Sequence, residues 1–555
     1  MATATHFDVD VLVAGTGVTG LTAAVVARSL GLNTLLVERT DKIGGTTSYS
    51  GGTVWIPNNM ISTRSGVQDT GESARRYLDG VLERYGPRGP GSSDARVDAF
   101  LTKGPEMVEF LASQGFEWSA NPSPFPDYHS DVEGALPSGG RTLDPAPVDA
   151  SALGSWKDKV RRPPQSVPAQ YFHDFCILTR PGPLPPTGPV AATMESAAYM
   201  GCSLVAQLLA LYLRDEKNQQ SIHLGTPLID LLVEDGHVRG GKVRLSTGSV
   251  ATVSAKYGVI LATAGFARSQ ALRDLHLPLS QTKWTLAQPG GDLGDALLAC
   301  AETAGAATAL LGEAWWIPIM ADPLSGQTVP AMFEISKPHC IIVDEDGVRF
   351  MSEPDPYGDA GRALYTHVVN MRRRRSAWLI LDSNYRQRYT LGSLGPGIDP
   401  GVGAGSLHRA DTISQLASRI NVNPAGLDKT IADWNKMCET GPHSEFDRRR
   451  RGRHQTFVGD SSARHPNVGP IVLPPFYAIA IYPGDAGTKG GLLTDELSRV
   501  VRPDHSVIPG LYAAGNATAS VMGPASPAAG VTIGPAMTFA YIAVRDIYER
   551  KQSEA

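Results

Sequence analysis

The chain has 555 residues, which predicts two or more domains rather than one small core. Its 42% hydrophobic and 19% charged residues exclude disorder and a membrane-embedded protein as the bulk reading, and a net charge of −5 gives no electrostatic case for nucleic acid. The five cysteines are scattered and form no Cys-x-x-Cys pair, which argues against a disulfide framework or a zinc site; no metal is expected, and a reducing, cytoplasmic setting is.

The first ten residues, MATATHFDVD, lack the basic and apolar regions of a signal peptide. DVDVLVA (8–14) then reads as a buried strand, GTGVTG follows, LTAAVVARSLG repeats apolar positions at helical spacing, and NTLLVER ends a second strand at Glu38. Strand, Gly-x-Gly-x-x-Gly, helix, strand and acid make a dinucleotide-binding unit. Gly15 serves the tight turn, Gly17 the approach of backbone to a pyrophosphate, and Gly20 the closeness of helix to sheet, with Thr19 in the same turn. Free N–H groups at the helix start favour phosphate, and Glu38 is placed to accept from ribose hydroxyls.

The next stretch, RTDKIGGTTSYSGGTVWIPNN, brackets hydroxyls with glycine pairs. It resembles the second nucleotide-contacting segment of flavoproteins in the fumarate reductase and succinate dehydrogenase superfamily, and a simple NAD dehydrogenase has no counterpart. The resemblance implies non-covalent FAD, with Arg39, Gly45, Thr46, Thr47, Ser48, Gly51 and Gly52 as candidate contacts. Two later strand-to-glycine turns, GVILATAGFA (258–267) and PGLYAAGNATAS (509–520), match segments that return to the cofactor there. They add Ala264, Gly265, Gly515 and Asn516, and the start of the last helix adds Val531 and Ile533.

Between these pieces, SLVAQLLALYL (203–213) is too short to span a bilayer and predicts a buried helix, so no transmembrane segment is expected. The arginine runs 372–375 and 448–451 read as solvated faces, and His339 beside Cys340 as structural. The loop 460–470 is expected to join two domains. The fold class expected is α/β: a discontinuous Rossmann-like FAD-binding domain (1–317 and 488–555) with an inserted α+β substrate domain (318–487).

Residues 515–535 hold neither Arg nor His, so a dicarboxylate would find no clamp there. GGTVWIPNN, FPDYH, DEDGVRFMSEPDPYGD, GDAGTKGGLLTD and VMG…TIGPAMTF together resemble the 3-ketosteroid dehydrogenases, most closely the Δ1 branch. That resemblance covers nearly the whole chain; the region between Tyr128 and Tyr357, with the proline-rich run 179–189, is longer than usual. It implies desaturation of a hydrophobic cyclic ketone or steroid. Tyr357 matches the base that removes the proton next to the carbonyl, Tyr128 its helper, and Gly530 an N–H donor to the ketone oxygen.

A third tyrosine is expected just before TIGPAM, where this chain has Ser526. The shorter hydroxyl leaves three arrangements open: a deeper ketone, another hydroxyl, or a bridging water. Tyr171, Tyr199 and Tyr482 are substitutes that read more simply as core or surface, as do Trp315 and Trp316. The competing functions are desaturation of small cyclohexanone-type rings, 4,5-desaturation of a 5α-ketosteroid, and a flavin-binding protein without catalysis. The electron acceptor is not indicated.

Overall fold

The computed structural model describes residues 5–163, 170–174, 196–372, 377–398, 406–440 and 453–554. The proline-rich run 179–189, the arginine run 448–451 and residues 373–375 of the other run lie outside them. Two sheets organise the rest. In the first, strand His6–Ala14 lies parallel to Thr34–Val37 on one side and Val250–Leu261 on the other. Its inner half, Val11 to Ala14, is wholly buried, as a parallel strand covered on both faces must be. Strand Val507–Ala513 extends the sheet parallel to Val250–Leu261, pairing Leu511 with Val259. The end of the chain therefore completes the sheet that its beginning starts.

Helix Val18–Ser29, which crosses between the first two strands, shares an apolar core with helices Asp94–Ser113, Met200–Leu213 and Ile533–Glu554. Met200–Leu213 contains the expected buried helix. No helix among the described residues is long and apolar enough to cross a membrane.

The second sheet is antiparallel around the long strand Phe476–Thr488, which pairs with Ala314–Ala321, Ala377–Leu381 and Leu407–Ala410. Its side chains alternate as strand geometry requires. Leu379 and Ile479 face helix Tyr357–Asn370, while Ile380 and Ala478 face helices Ile413–Ile420 and Pro424–Thr440. Strand Ala314–Ala321 straddles residue 318, where the inserted domain is expected to begin. Phe476–Thr488 ends against the nucleotide sheet: Thr488 Oγ1 accepts from the Phe266 N–H at 3.2 Å.

One expectation is corrected. The 460–470 loop does not join the two units but is stitched into the second. Asp460 accepts from Tyr389 at 2.7 Å and Arg388 at 3.1 Å, and Asn467 donates to Ser336 and Gln455 carbonyls at 2.8 and 2.9 Å. A run rich in Asp, Ser, Asn and Pro reads as a linker, but here its polar groups are the partners of buried ones.

Glu334, buried in the same unit, accepts from the Gly392 N–H at 3.3 Å. Burial pushes its carboxyl from an ordinary 4.5 up to about 7, opposed by backbone N–H groups and Lys337. Between those values the folded chain holds a proton that the unfolded chain has released. Stability from this group therefore falls as pH rises through that window, by on the order of 3 kcal/mol. We expect Glu334→Gln to be more stable relative to wild type at pH 8 than at pH 5. Urea titrations at the two pH values check this; an equal difference at both would exclude Glu334 as the titrating group.

Candidate active site

The glycines of the first turn divide by what surrounds them. A Cβ on Gly15 or Gly20 would collide with backbone, at 2.2 Å from the Ala262 oxygen and 1.8 Å from the Gly15 oxygen, so both are packing positions. A Cβ on Gly17 would meet nothing nearer than Thr47 Oγ1 at 3.6 Å, and one on Gly45 nothing nearer than Gly17 Cα at 3.7 Å. Gly17 and Gly45 thus lie close together with no side chain on either, at a helix start that has no acid in its first turn. Such a bare helix start suits a pyrophosphate.

Around it, Thr47 Oγ1 accepts from the Val18 N–H at 3.1 Å, and Glu38 takes the Thr16 N–H and hydroxyl at 3.0 and 2.6 Å. Thr46 bonds Asp292 at 3.2 Å and the Gln288 N–H at 3.0 Å. Ser48 Oγ and Gln288 Oε1 are buried without a hydrogen-bond partner among the described residues, as expected where a polar ligand completes the bonding. Thr19 packs on Gly515, and Gly265 lies against Thr488 and Asn516. Ala264 adopts φ +59°, and Asn516 Oδ1 accepts from the Trp315 indole at 3.0 Å. These segments from three parts of the chain form one cradle whose bare helix start and unsatisfied polar atoms fit a dinucleotide such as FAD.

Other expected contacts are occupied differently. Arg39 pairs with Asp295, Gly51 lies under the Phe172 ring, and Gly52 is packed against the Met200–Gly201 backbone. Their close packing shapes the loop.

Tyr128 and Tyr357 come together. Their rings meet edge to face with centroids 5.6 Å apart, which sets the two phenols side by side. Burial raises the Tyr357 pKa above its ordinary value, and the neighbouring Tyr128 hydroxyl opposes the rise. Tyr357 opens helix Tyr357–Asn370, while Tyr128 sits in an irregular loop fixed by its neighbour. Buried Asp127 accepts from the Trp55 indole at 3.0 Å, from Arg141 at 2.7 Å and from the Leu136 N–H at 2.9 Å. Phe125, Ile317, Met332, Phe333 and Ala529 surround the pair with apolar surface. The His454 ring packs against Tyr128, tilted by 57° with centroids 4.5 Å apart, and burial, with His129 second, lowers its pKa to about 3, so it is neutral there.

The loop 524–530 is held to this pair through its carbonyls. Pro527 O accepts from the Tyr128 N–H at 2.9 Å and the Tyr77 hydroxyl at 2.6 Å, and Ala529 O accepts from Thr142 at 2.9 Å. Gly530 O accepts from the Trp55 N–H at 3.2 Å, and a Cβ there would strike that nitrogen at 2.7 Å. Its φ of +91° independently favours glycine. Among the described residues the N–H groups of Gly530 and Val531 meet no acceptor, so the loop presents donors opposite its tethered carbonyls. Val531 and Ile533 are buried at the start of the last helix.

Ser526 is buried with its Oγ over Gly358, next to Tyr357, and 3.5 Å from Lys489 Nζ. Tyr482 stacks on Trp284 at 3.7 Å beside the same apolar cluster, Tyr171 stacks on His173, and Tyr199 precedes helix Met200–Leu213. The residues that sequence reasoning passes over are Asp127, Arg141, Tyr77 and Lys489. Asp127 stands beside Tyr128 in FPDYH and Lys489 lies within GDAGTKGG, but their partners are distant in sequence.

A family described as FAD binding domain matches residues 10–533. A 3-oxosteroid 1-dehydrogenase of Mycobacterium tuberculosis is 35% identical over 98% of this chain and 99% of its own length. The 4-oxocyclohexanecarboxylate 2-dehydrogenase of Sinomonas cyclohexanicum is 33% identical over 97% of this chain and 92% of its own. Among solved structures, the 3-ketosteroid delta1-dehydrogenase of Sterolibacterium denitrificans in complex with 1,4-androstadiene-3,17-dione is similar at 31% identity. That match has a TM-score of 0.87 and covers 98% of this chain and 100% of the other.

Proposed function

The chain belongs to the 3-ketosteroid dehydrogenase family of FAD-binding flavoproteins, and from that premise we propose that it introduces a double bond next to the carbonyl of a cyclic ketone, a 3-ketosteroid desaturated at C1–C2. The observation that carries the reading is the pair of buried Tyr128 and half-buried Tyr357, tied through Tyr128 to a loop whose free N–H groups face away from its tethered carbonyls.

Tyr357 as its phenolate takes the proton from the carbon next to the ketone and becomes a neutral phenol, the charge passing to the enolate oxygen; the neighbouring hydroxyl of Tyr128 lowers the cost of the phenolate beforehand. A tyrosine of ordinary pKa, ~10, is a poor base at neutral pH, so the reaction needs the enolate oxygen stabilised as it forms. The Gly530 N–H and the Ser526 hydroxyl are the donors proposed for that oxygen. Bound FAD supplies the acceptor for the hydride that leaves the neighbouring carbon. The apolar wall from Phe125 to Phe333 keeps water out and suits a steroid-sized apolar substrate.

Ser526 favours a second reading, a smaller ring seated deeper, which is the kind of substrate named for the Sinomonas relative. Anaerobic mixing of the yellow protein with androstenedione, a saturated 5α-3-ketosteroid and cyclohexanone separates the two. The steroids are expected to bleach the flavin, with product analysis placing the new bond at C1–C2. Bleaching by cyclohexanone alone would replace the steroid by the small ring, and a new bond at C4–C5 would replace the regiochemistry. Bleaching by dithionite but by no ketone would leave a flavin-binding protein without this catalysis.

A further inference from the structure

Lys489 is buried, at 1% exposure, and forms no salt bridge with a carboxylate among the described residues. An ammonium in that position is costly unless its three protons are satisfied. Nζ donates to the Pro524 carbonyl at 2.8 Å and the Ala525 carbonyl at 2.6 Å, and lies 3.5 Å from Ser526 Oγ. It also sits 4.3 Å from the centre of the Trp315 ring, whose indole N–H is committed to Asn516. Burial lowers its pKa to about 7, with Glu313 opposing.

We propose that Lys489 is a positioning residue for the ketone-oxygen site. The inference rests on the functional reading above. Lys489 anchors the first half of the 524–530 loop, as Tyr77, Tyr128, Thr142 and Trp55 anchor the second. With the carbonyls of 524, 525, 527, 529 and 530 all held by protein donors, the loop is fixed with the Gly530 N–H free. The third ammonium proton is left for the Ser526 oxygen, 3.5 Å away. A serine that accepts from an ammonium keeps its own proton for another acceptor, and that acceptor is the substrate carbonyl. A cation behind the hydroxyl also makes it a stronger donor, because a bond with an ionised partner polarises the next. In this way a short side chain serves where the family's longer phenol is missing. The backbone of Lys489 is held too: its N–H donates to Glu313 O at 3.0 Å, and its carbonyl accepts from Ser520 at 3.0 Å.

The test uses the FAD-loaded full chain with Lys489→Met, Lys489→Gln, Ser526→Ala and the Met/Ala double variant. Flavin content and the rate of anaerobic reduction by androstenedione are followed as substrate concentration varies. Lys489→Met is expected to keep FAD and to lower the limiting reduction rate at least tenfold, with KM changed less than threefold. Ser526→Ala is expected to cost several-fold in wild type and less than twofold in the Lys489→Met background, because both act through one hydroxyl. Lys489→Gln retains two amide donors and is expected to fall between wild type and Met, which keeps the proposal testable if Met does not fold. An unchanged limiting rate in the folded Met or Gln variant, or losses that multiply in the double variant, would overturn it. If no cyclic ketone reduces the wild-type flavin, the functional reading fails instead. Hydrogen exchange of the 524–531 amides then decides the anchoring alone: faster exchange in Lys489→Gln than in wild type supports it, and equal exchange rejects it.

Discussion

Tyr357→Phe is expected to lower ketone-driven flavin reduction by about a thousandfold or more while leaving FAD bound. Positioned general bases contribute roughly 10²–10⁴ in rate, and here the weak intrinsic basicity of a phenol places the demand at the upper part of that range. The substitution removes one oxygen and keeps the ring that meets Tyr128 at 5.6 Å, so packing at the start of helix Tyr357–Asn370 should survive. Tyr357 lies in the apolar cluster with Tyr128, Ile317 and Val458, outside the glycine and hydroxyl groups that line the nucleotide cradle. Cofactor content is therefore a fair control. Stopped-flow reduction by androstenedione, with dithionite reduction as reference, reads the effect. A rate within threefold of wild type would show that another group removes the proton.

Much of the fold is legible in the sequence because its signals are local. The first strand, glycine turn, helix and Glu38 occupy consecutive positions, and the two later returns of the chain announce themselves as apolar runs entering glycine turns. The pairing of Tyr128 with Tyr357 is a different matter. The two residues are separated by more than 200 positions, and only the motifs around each mark them out among 17 tyrosines. What cannot be read locally is where charges go. Asp127 gains meaning from Arg141 and Trp55, Arg273 from Asp485, and Lys489 from three oxygens on a loop downstream. The 460–470 loop misleads for the same reason. Its polar residues look solvated until the folded chain supplies Arg388, Tyr389 and Ser336 as partners.

Ser526→Tyr is expected to raise kcat/KM for a 3-ketosteroid by roughly ten- to a hundredfold and to lower it for cyclohexanone. Removing one donor from an oxyanion site costs about 3 kcal/mol in other enzymes, and replacing the short serine donor by a longer phenol should gain part of that. The local structure accommodates the direction of the change. Ser526 Cβ lies only 2.6 Å from where a Cβ on Gly358 would be, so it is the glycine at 358 that admits a side chain from residue 526 beside Tyr357. A phenol at 526, in place of the serine packed over Gly358, would carry its hydroxyl several ångströms beyond the serine oxygen. The same volume would occupy the deeper space that a small ring needs, which gives the two substrates opposite signs. Opposite signs matter, because a general loss of folding or of FAD would depress both. Steady-state rates with each ketone, normalised to flavin content, make the comparison. Equal loss on both would mean that the tyrosine disrupts the loop, and a gain on cyclohexanone with loss on the steroid would seat the ketone away from residue 526.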